Sequence, residues 1–409
     1  MDPTKLAWLK EYLEFRSDDF ENLNINSEKD FYKYIQNTGL NYGHFLNFPE
    51  ELDFDTSNWP IRERNRVLFA EAFLAAVSLI NENTQANLIS EFQKSSDIFF
   101  QNSFKKSWRL FNLFSSKDEF KKSQKYFNRK VVAKAEWNAS FFKAFLNNLL
   151  SYSDILILIK LKSQISEKEK FESEISKLHF NFATVILSVL KNDRDLTKSV
   201  SDFFIKENKF FKAKHISNDK IDDLKLDSDD NYLIRKFLLD SAVISFMAFE
   251  NDFEKRLLND LCRKIRIDDY ELTSSILGAD LFLIDNWDRL KYLKSRQSYL
   301  SISTRINDNL SEVLKNYESE ITKIISEDEK LKNSILKTRN KHMQIEEKEK
   351  LRFALIGVLR ELKPLKFIKL PINYFTFSML LKVLPESIFP EEFNENKSEN
   401  KPRTRFIDS

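Results

Sequence analysis

The 409-residue chain has four glycines, eight prolines and a single cysteine. Ordinary usage is about 7% glycine and 5% proline, so turn-rich β folds and glycine-rich phosphate loops are excluded on composition. The lone Cys262 rules out an intramolecular disulfide framework and a thiolate zinc cluster, and it reads as a buried, inert thiol. Charge of one sign is missing too: 65 basic residues face 63 acidic ones, a formal net of +2. That balance excludes a strongly cationic nucleic-acid binder, and 42% hydrophobic residues exclude an acidic disordered chain. No run reaches the ~18 uncharged apolar residues of a spanning helix. The nearest are 67–80, broken by Glu71, 178–190, which carries His179 and Asn181, and 370–381, flanked by Lys369 and Lys382. The first residues hold acids and no apolar core ahead of a small-residue cleavage site, unlike a secretory signal. The expectation is a cytoplasmic protein, with peripheral association at the inner membrane left open.

What is present fits helices. Between Pro60 and Pro364 there is no proline, and that stretch is rich in Lys, Glu, Leu, Ile and Phe. The 38 phenylalanines, with abundant Asn, Lys and Ile, also reflect an A/T codon bias. The fold expected is all-α, a multi-helix bundle. Residues 1–60 read as short helices and loops, with Asn58 as a cap, and 61–190 as a helical domain whose first helix, 63–80, is apolar all round. Residues 191–230 read as a linker with an acidic end. A compact helical module occupies 231–300, with helices at 232–249, 253–267 and 268–284. Residues 301–393 hold a long helix and an apolar C-terminal segment, and 394–409 read as a disordered tail. Over 303–362, Leu310, Tyr317, Ile324 and Leu331 recur every seven residues, enough for a helical hairpin or short coiled coil.

Catalytic motifs are hard to find. His44, His179, His215 and His342 show no metal-ligand spacing, and none has a glutamate three residues before it. Nucleophile-elbow, phosphate-loop and dinucleotide patterns are missing as well. Asp227, Asp229 and Asn231 match the first positions of a calcium loop, but Tyr232 stands where glycine is needed and Leu238 where a glutamate closes the site. That run reads instead as a segment capping the helix that begins at Tyr232. The reading is therefore non-enzymatic and free of cofactor, and no small-molecule substrate is evident. One stretch, 94–134, carries eleven basic residues against three acids, with aromatics interleaved. Lys105, Lys106, Arg109, Lys121, Lys122, Lys125, Arg129 and Lys130 form its basic patch, suited to phosphates of RNA or to anionic lipid. The alternative is two helices with aromatics inside and lysines in solvent.

The C-terminal segment is the most specific feature. Arg360, Pro364, Pro371, Leu384, Pro385, Phe389, Pro390 and Phe393 follow in the order of an arginine-bearing helix, a proline break, an apolar helix and a Leu-Phe-Pro-like ending. In this it resembles the leucine-zipper, EF-hand-containing transmembrane (LETM) family around its membrane segment. Lys366, Lys369 and Lys382 depart from that family's more apolar pattern. The prolines leave 372–384 as a short apolar helix closed by Pro385. Segment 232–284 resembles a tellurite-resistance TerB-type module, and the resemblance implies a metal loop at Glu250, Asp252 and Glu254, here without glycine. Together these features are similar to LETM-related biofilm-associated proteins of flavobacterial type. The resemblance implies a non-enzymatic scaffold or interaction protein linked to surface growth, with a protein partner or a membrane surface. A part in cation/proton exchange, or contact with RNA or the ribosome, is the alternative.

Overall fold

The computed structural model describes residues 2–5, 7–17, 25–49, 52, 56, 58–81, 88–104, 120–132, 141–207, 221–248, 254–290, 298–337 and 343–388. They form sixteen α-helices and, among the described residues, no strand, so the protein is the all-α multi-helix bundle its composition implies. The chain divides into two compact units, Met1–Ser275 and Ile276–Ser409. That division lies inside the segment read as the 231–300 module.

The first unit holds α1 (Trp8–Ser17), α2 (Glu28–Thr38), α3 (Ile61–Ile80), α4 (Leu88–Phe104), α5 (Lys121–Val132), α6 (Phe141–Leu161), α7 (Lys168–Val189), α8 (Arg194–Glu207), α9 (Tyr232–Ala248), α10 (Lys255–Ile265) and the first turns of α11 (Asp269–Asp285). Helix α3 is its axis. Every residue from Arg66 to Val77 is buried, and α2, α4, α5 and α6 pack around it. Ala70, Ala72, Ala75 and Ala76 keep that helix narrow enough for four neighbours, while Phe69 and Phe73 lead into a ring cluster with Phe92, Phe99, Tyr126 and Phe127. Fully burying such a ring is worth roughly 1.5–3 kcal/mol, and edge contacts add about 0.5–1.5 kcal/mol per pair. Helices α6, α7 and α9 form a second layer joined through Phe182, Phe237 and Tyr152.

Local signals set several boundaries. Ser27 caps α2 by accepting the Asp30 N–H at 3.1 Å, and Gly39, at φ 80°, ends it. Gly43, at φ 75°, completes the following 3₁₀ turn, where the Phe145 ring leaves no room for a side chain. Asn58 does not cap α3; Pro60 stands at that position, its fixed φ preset for helix entry. Asn231 caps α9, its Oδ1 accepting the Ile234 N–H at 3.0 Å. The stretch 191–230, read as a linker, contains α8, whose Val200, Phe203 and Phe204 are buried. By length and composition α6 qualifies as a membrane span, but 83% of that window is buried inside the protein.

The second unit contains the rest of α11, α12 (Tyr299–Asn316), α13 (Glu318–Glu327), α14 (Glu329–Lys337), α15 (Ile345–Glu361) and α16 (Phe377–Val383). The seven-residue repeat does not make one long helix. Tyr317 leaves helical geometry at φ −108°, ψ 17°, and Asp328 starts a new helix by accepting the N–H groups of Lys330 and Leu331. Val313, Leu314, Ile321, Ile325, Leu331 and Ile335 are buried, and α13 folds onto both α14 and α15.

Candidate functional site

Of the basic patch, Lys105, Lys106 and Arg109 lie outside the described residues. On α5, Lys121, Lys125 and Arg129 are exposed at every fourth position, and Lys122 and Lys130 are half-buried. The interleaved Phe99, Tyr126 and Phe127 point into the core, so they offer no stacking surface to a base. Lys130 forms an ion pair with the buried Asp154, which also accepts the Tyr126 hydroxyl at 2.9 Å.

Glu250 and Asp252 also lie outside the described residues. Glu254, which immediately precedes α10, accepts Lys191 Nζ at 2.8 Å and Asn192 Nδ2 at 3.2 Å. A lysine therefore occupies the carboxylate that the TerB-type resemblance assigns to metal. Glu254 borders an open groove of about 850 Å³ between the end of α7, the 221–223 turn and α10. Helix α10 is strongly amphipathic. Leu257, Leu258, Leu261, Cys262 and Ile265 face inward, while Arg256, Asp260, Arg263 and Lys264 line the groove. Arg263 pairs with Asp260, and Lys264 Nζ donates to the Asp222 carbonyl at 2.7 Å. Burial pushes the Cys262 thiol up to about 11, consistent with an inert cysteine.

The acidic run is a clasp. Glu174, Asp227 and Asp230 bring carboxylate oxygens within 4.8 Å of one another, and two lysines fill the space between them. Lys160 Nζ donates to Glu174 at 2.7 Å and to Asp230 at 2.6 Å; Lys177 donates to Asp227 and lies 2.8 Å from Glu174. Burial alone would lower the Lys160 pKa, but hydrogen bonds to Asp230 and Glu174 outweigh it and hold it above the ordinary value. Lys177, foremost, holds Asp227 below the usual carboxylate range.

Deeper in the first unit, Lys236 of α9 has no exposed surface. Its Nζ lies 3.3 Å from Asp240 and 3.4 Å from Glu271, and it donates to Ser275. Tyr32 donates to Asp240 at 2.6 Å and Tyr232 to Glu271 at 3.1 Å, joining α2, α9 and α11. Around Glu71 of α3, Arg16 forks onto both carboxylate oxygens at 3.0 and 3.1 Å, and the Tyr12 and Tyr34 hydroxyls donate as well. Burial pushes the Glu71 carboxyl up to about 8. In the second unit Arg305 grips Asp280, whose carboxyl burial raises to about 6. Six carboxylates are buried among the described residues, namely Glu71, Asp154, Asp230, Asp240, Glu271 and Asp280, and each has a cationic partner.

Sequence spacing gave no sign of one further pairing, because its members lie on different helices. His179 Nε2 sits 3.0 Å from Ser153 Oγ, and both residues are buried. The Ser153 hydroxyl donates to the Leu150 carbonyl at 2.8 Å, a bond within α6 itself. His44 is also buried, which lowers its pKa to about 3 and keeps it neutral.

The C-terminal segment departs from the expected apolar helix. Only Phe377–Val383 is helical, begun by Thr376, whose hydroxyl accepts the Met379 N–H at 3.2 Å. Phe375, Leu380, Val383 and Leu384 are buried where α16 packs on α12 and α15. Arg360 is exposed, Pro364 and Pro371 are buried, and Pro385 is half-buried; Phe389, Pro390 and Phe393 lie outside the described residues. Comparisons with protein-family models, curated proteins and solved structures each find no match.

Proposed function

We propose that the protein is a non-enzymatic, all-helical scaffold that binds a protein partner through the charged groove beside α10. The carrying observation is how charge is distributed. Each buried acid among the described residues has a cationic partner, in most cases from a different helix, which fixes helix positions. The α10 charges Arg256, Asp260, Arg263 and Lys264 face open space along one side of a groove large enough for a partner's side chains. The excess of cations along that face, three to one acid, favours a partner carrying acidic side chains, since rim charges govern registry and encounter rate more than affinity. The packing of Phe375, Leu380, Val383 and Leu384 supports a scaffold over a cation/proton exchanger, which would use this segment as an apolar membrane surface. The LETM-related and biofilm-linked reading rests on the sequence resemblance alone.

The test is affinity capture from the native host with wild type and with R256E/R263E. The reading predicts a co-purifying protein that the double reversal loses and that raised salt releases. Identical capture by both proteins would refute the groove as the docking surface.

A further inference from the structure

The charged groove beside α10 holds more cations than its own acids neutralise. Lys191 is matched by Glu254, and Arg263 by Asp260. Arg256 is exposed and forms no ion pair among the described residues, and Lys264 donates to a neutral acceptor, the Asp222 carbonyl at 2.7 Å. The exposed Asp222 carboxylate, in the same wall, pairs with neither. Two unneutralised cations therefore stand eight residues apart on one helix, about 12 Å along its axis at 1.5 Å per residue. Leu257, Leu258, Leu261 and Ile265 are buried, so α10 offers a bilayer no apolar side chain to insert. Glu254 and Asp260 lie in the same wall and would repel a nucleic-acid backbone, whose charge is all negative.

We infer that Arg256 and Lys264 are the recognition points of the groove, and that they take an extended acidic segment of a protein partner bearing two carboxylates about 12 Å apart. The inference rests on the reading of this groove as a docking surface and specifies what docks there. At about 3.3 Å per residue, an extended segment meets that separation with side chains roughly four positions apart, which project from one face. Lys191 and Arg263 are secondary, because a partner's acid would have to displace Glu254 or Asp260 to reach them.

The test is selection of random dodecapeptides on the full chain, followed by fluorescence anisotropy of the enriched peptides at low salt. Enriched sequences should carry two acids roughly four positions apart. R256E/K264E should weaken their binding about tenfold or more, and Arg256→Glu alone, at an exposed position that leaves the fold intact by circular dichroism, about threefold or more. Removing a matched pair whole, Asp260→Ala with Arg263→Ala, should change binding less than about threefold. Peptides with lysine in place of both acids should bind R256E/K264E better than wild type. No enrichment, enrichment without acids, equal loss on removing the matched pair, or stronger competition by an RNA duplex than by unlabelled peptide would each overturn the inference. Such a result beside host capture that R256E/R263E still abolishes would leave the groove as the docking surface and remove only this assignment of its occupant.

Discussion

Replacing Lys236 by methionine isolates the role of a buried charge, since methionine keeps most of the lysine stem and removes only the ammonium. In wild type that group is shared by Asp240 at 3.3 Å and Glu271 at 3.4 Å and lies 5.2 Å from the Tyr32 ring centroid. Removing one partner of a buried ion pair costs roughly 3–5 kcal/mol, because the remaining charge is uncompensated. Here Asp240 keeps Tyr32 and Ser275 at 2.6 Å and Glu271 keeps Tyr232 at 3.1 Å, so the lower end applies, about 3 kcal/mol. Against a total stability of roughly 5–15 kcal/mol this is a large fraction. Urea denaturation followed by far-ultraviolet circular dichroism should show the midpoint falling by about 1–3 M, given slopes of roughly 1–3 kcal/mol per molar. Adding Asp240→Asn and Glu271→Gln should recover more than half of it. A single variant within about 1 kcal/mol of wild type, or a triple variant no better than the single, would refute the view that this lysine neutralises the two acids.

Gly43→Ala should be among the most damaging small changes, since a Cβ there would lie 2.5 Å from the Phe145 ring on a backbone at φ 75°; a loss above roughly 2 kcal/mol by thermal melting is expected. Gly357→Ala is the matched control: a Cβ meets nothing within 4 Å on an exposed face of α15, so a gain of about 0.5–1 kcal/mol is expected and a loss would contradict the packing. Burial raises Asp280 to about 6, above its unfolded value, so the protonated form is favoured in the fold. Its contribution to the second unit is then complete in acid and declines as pH rises through about 6, by an amount on the order of 2–3 kcal/mol. Asp280→Asn should flatten that part of a stability profile against pH, and an unchanged profile would exclude Asp280 as its source. In cell fractionation the wild-type chain should leave the membrane pellet on a salt wash; retention until detergent is added would count against the packed position of α16.

The helices of the first unit were largely legible because apolar periodicity and caps agree there. The expected helices at 232–249, 253–267 and 268–284 became α9, α10 and α11 with ends displaced by one or two residues. Helix α8 was obscured because its buried face is small, with Val200, Phe203 and Phe204 among many charges. The breaks at Tyr317 and Asp328 left no proline or glycine to mark them, so the seven-residue repeat read as continuous. Sites were harder to read than helices. Glu254 was singled out for metal, and its true neighbour, Lys191, lies in the turn just after α7, 63 positions earlier. The Lys236, Glu71 and Asp280 networks each join residues from separate helices, and pattern along one helix carries no information about which charges meet across several.

The lysine clasp on Glu174, Asp227 and Asp230 has a physiological consequence. Many proteins close such acidic knots with calcium or magnesium, and their shape then follows the concentration of the ion. Here the counter-charge is covalently part of the chain, on Lys160 and Lys177, at a fixed effective concentration. It cannot be chelated, diluted or exchanged for sodium. The join between α6, α7 and the entry to α9 therefore needs no bound divalent ion to neutralise its acids.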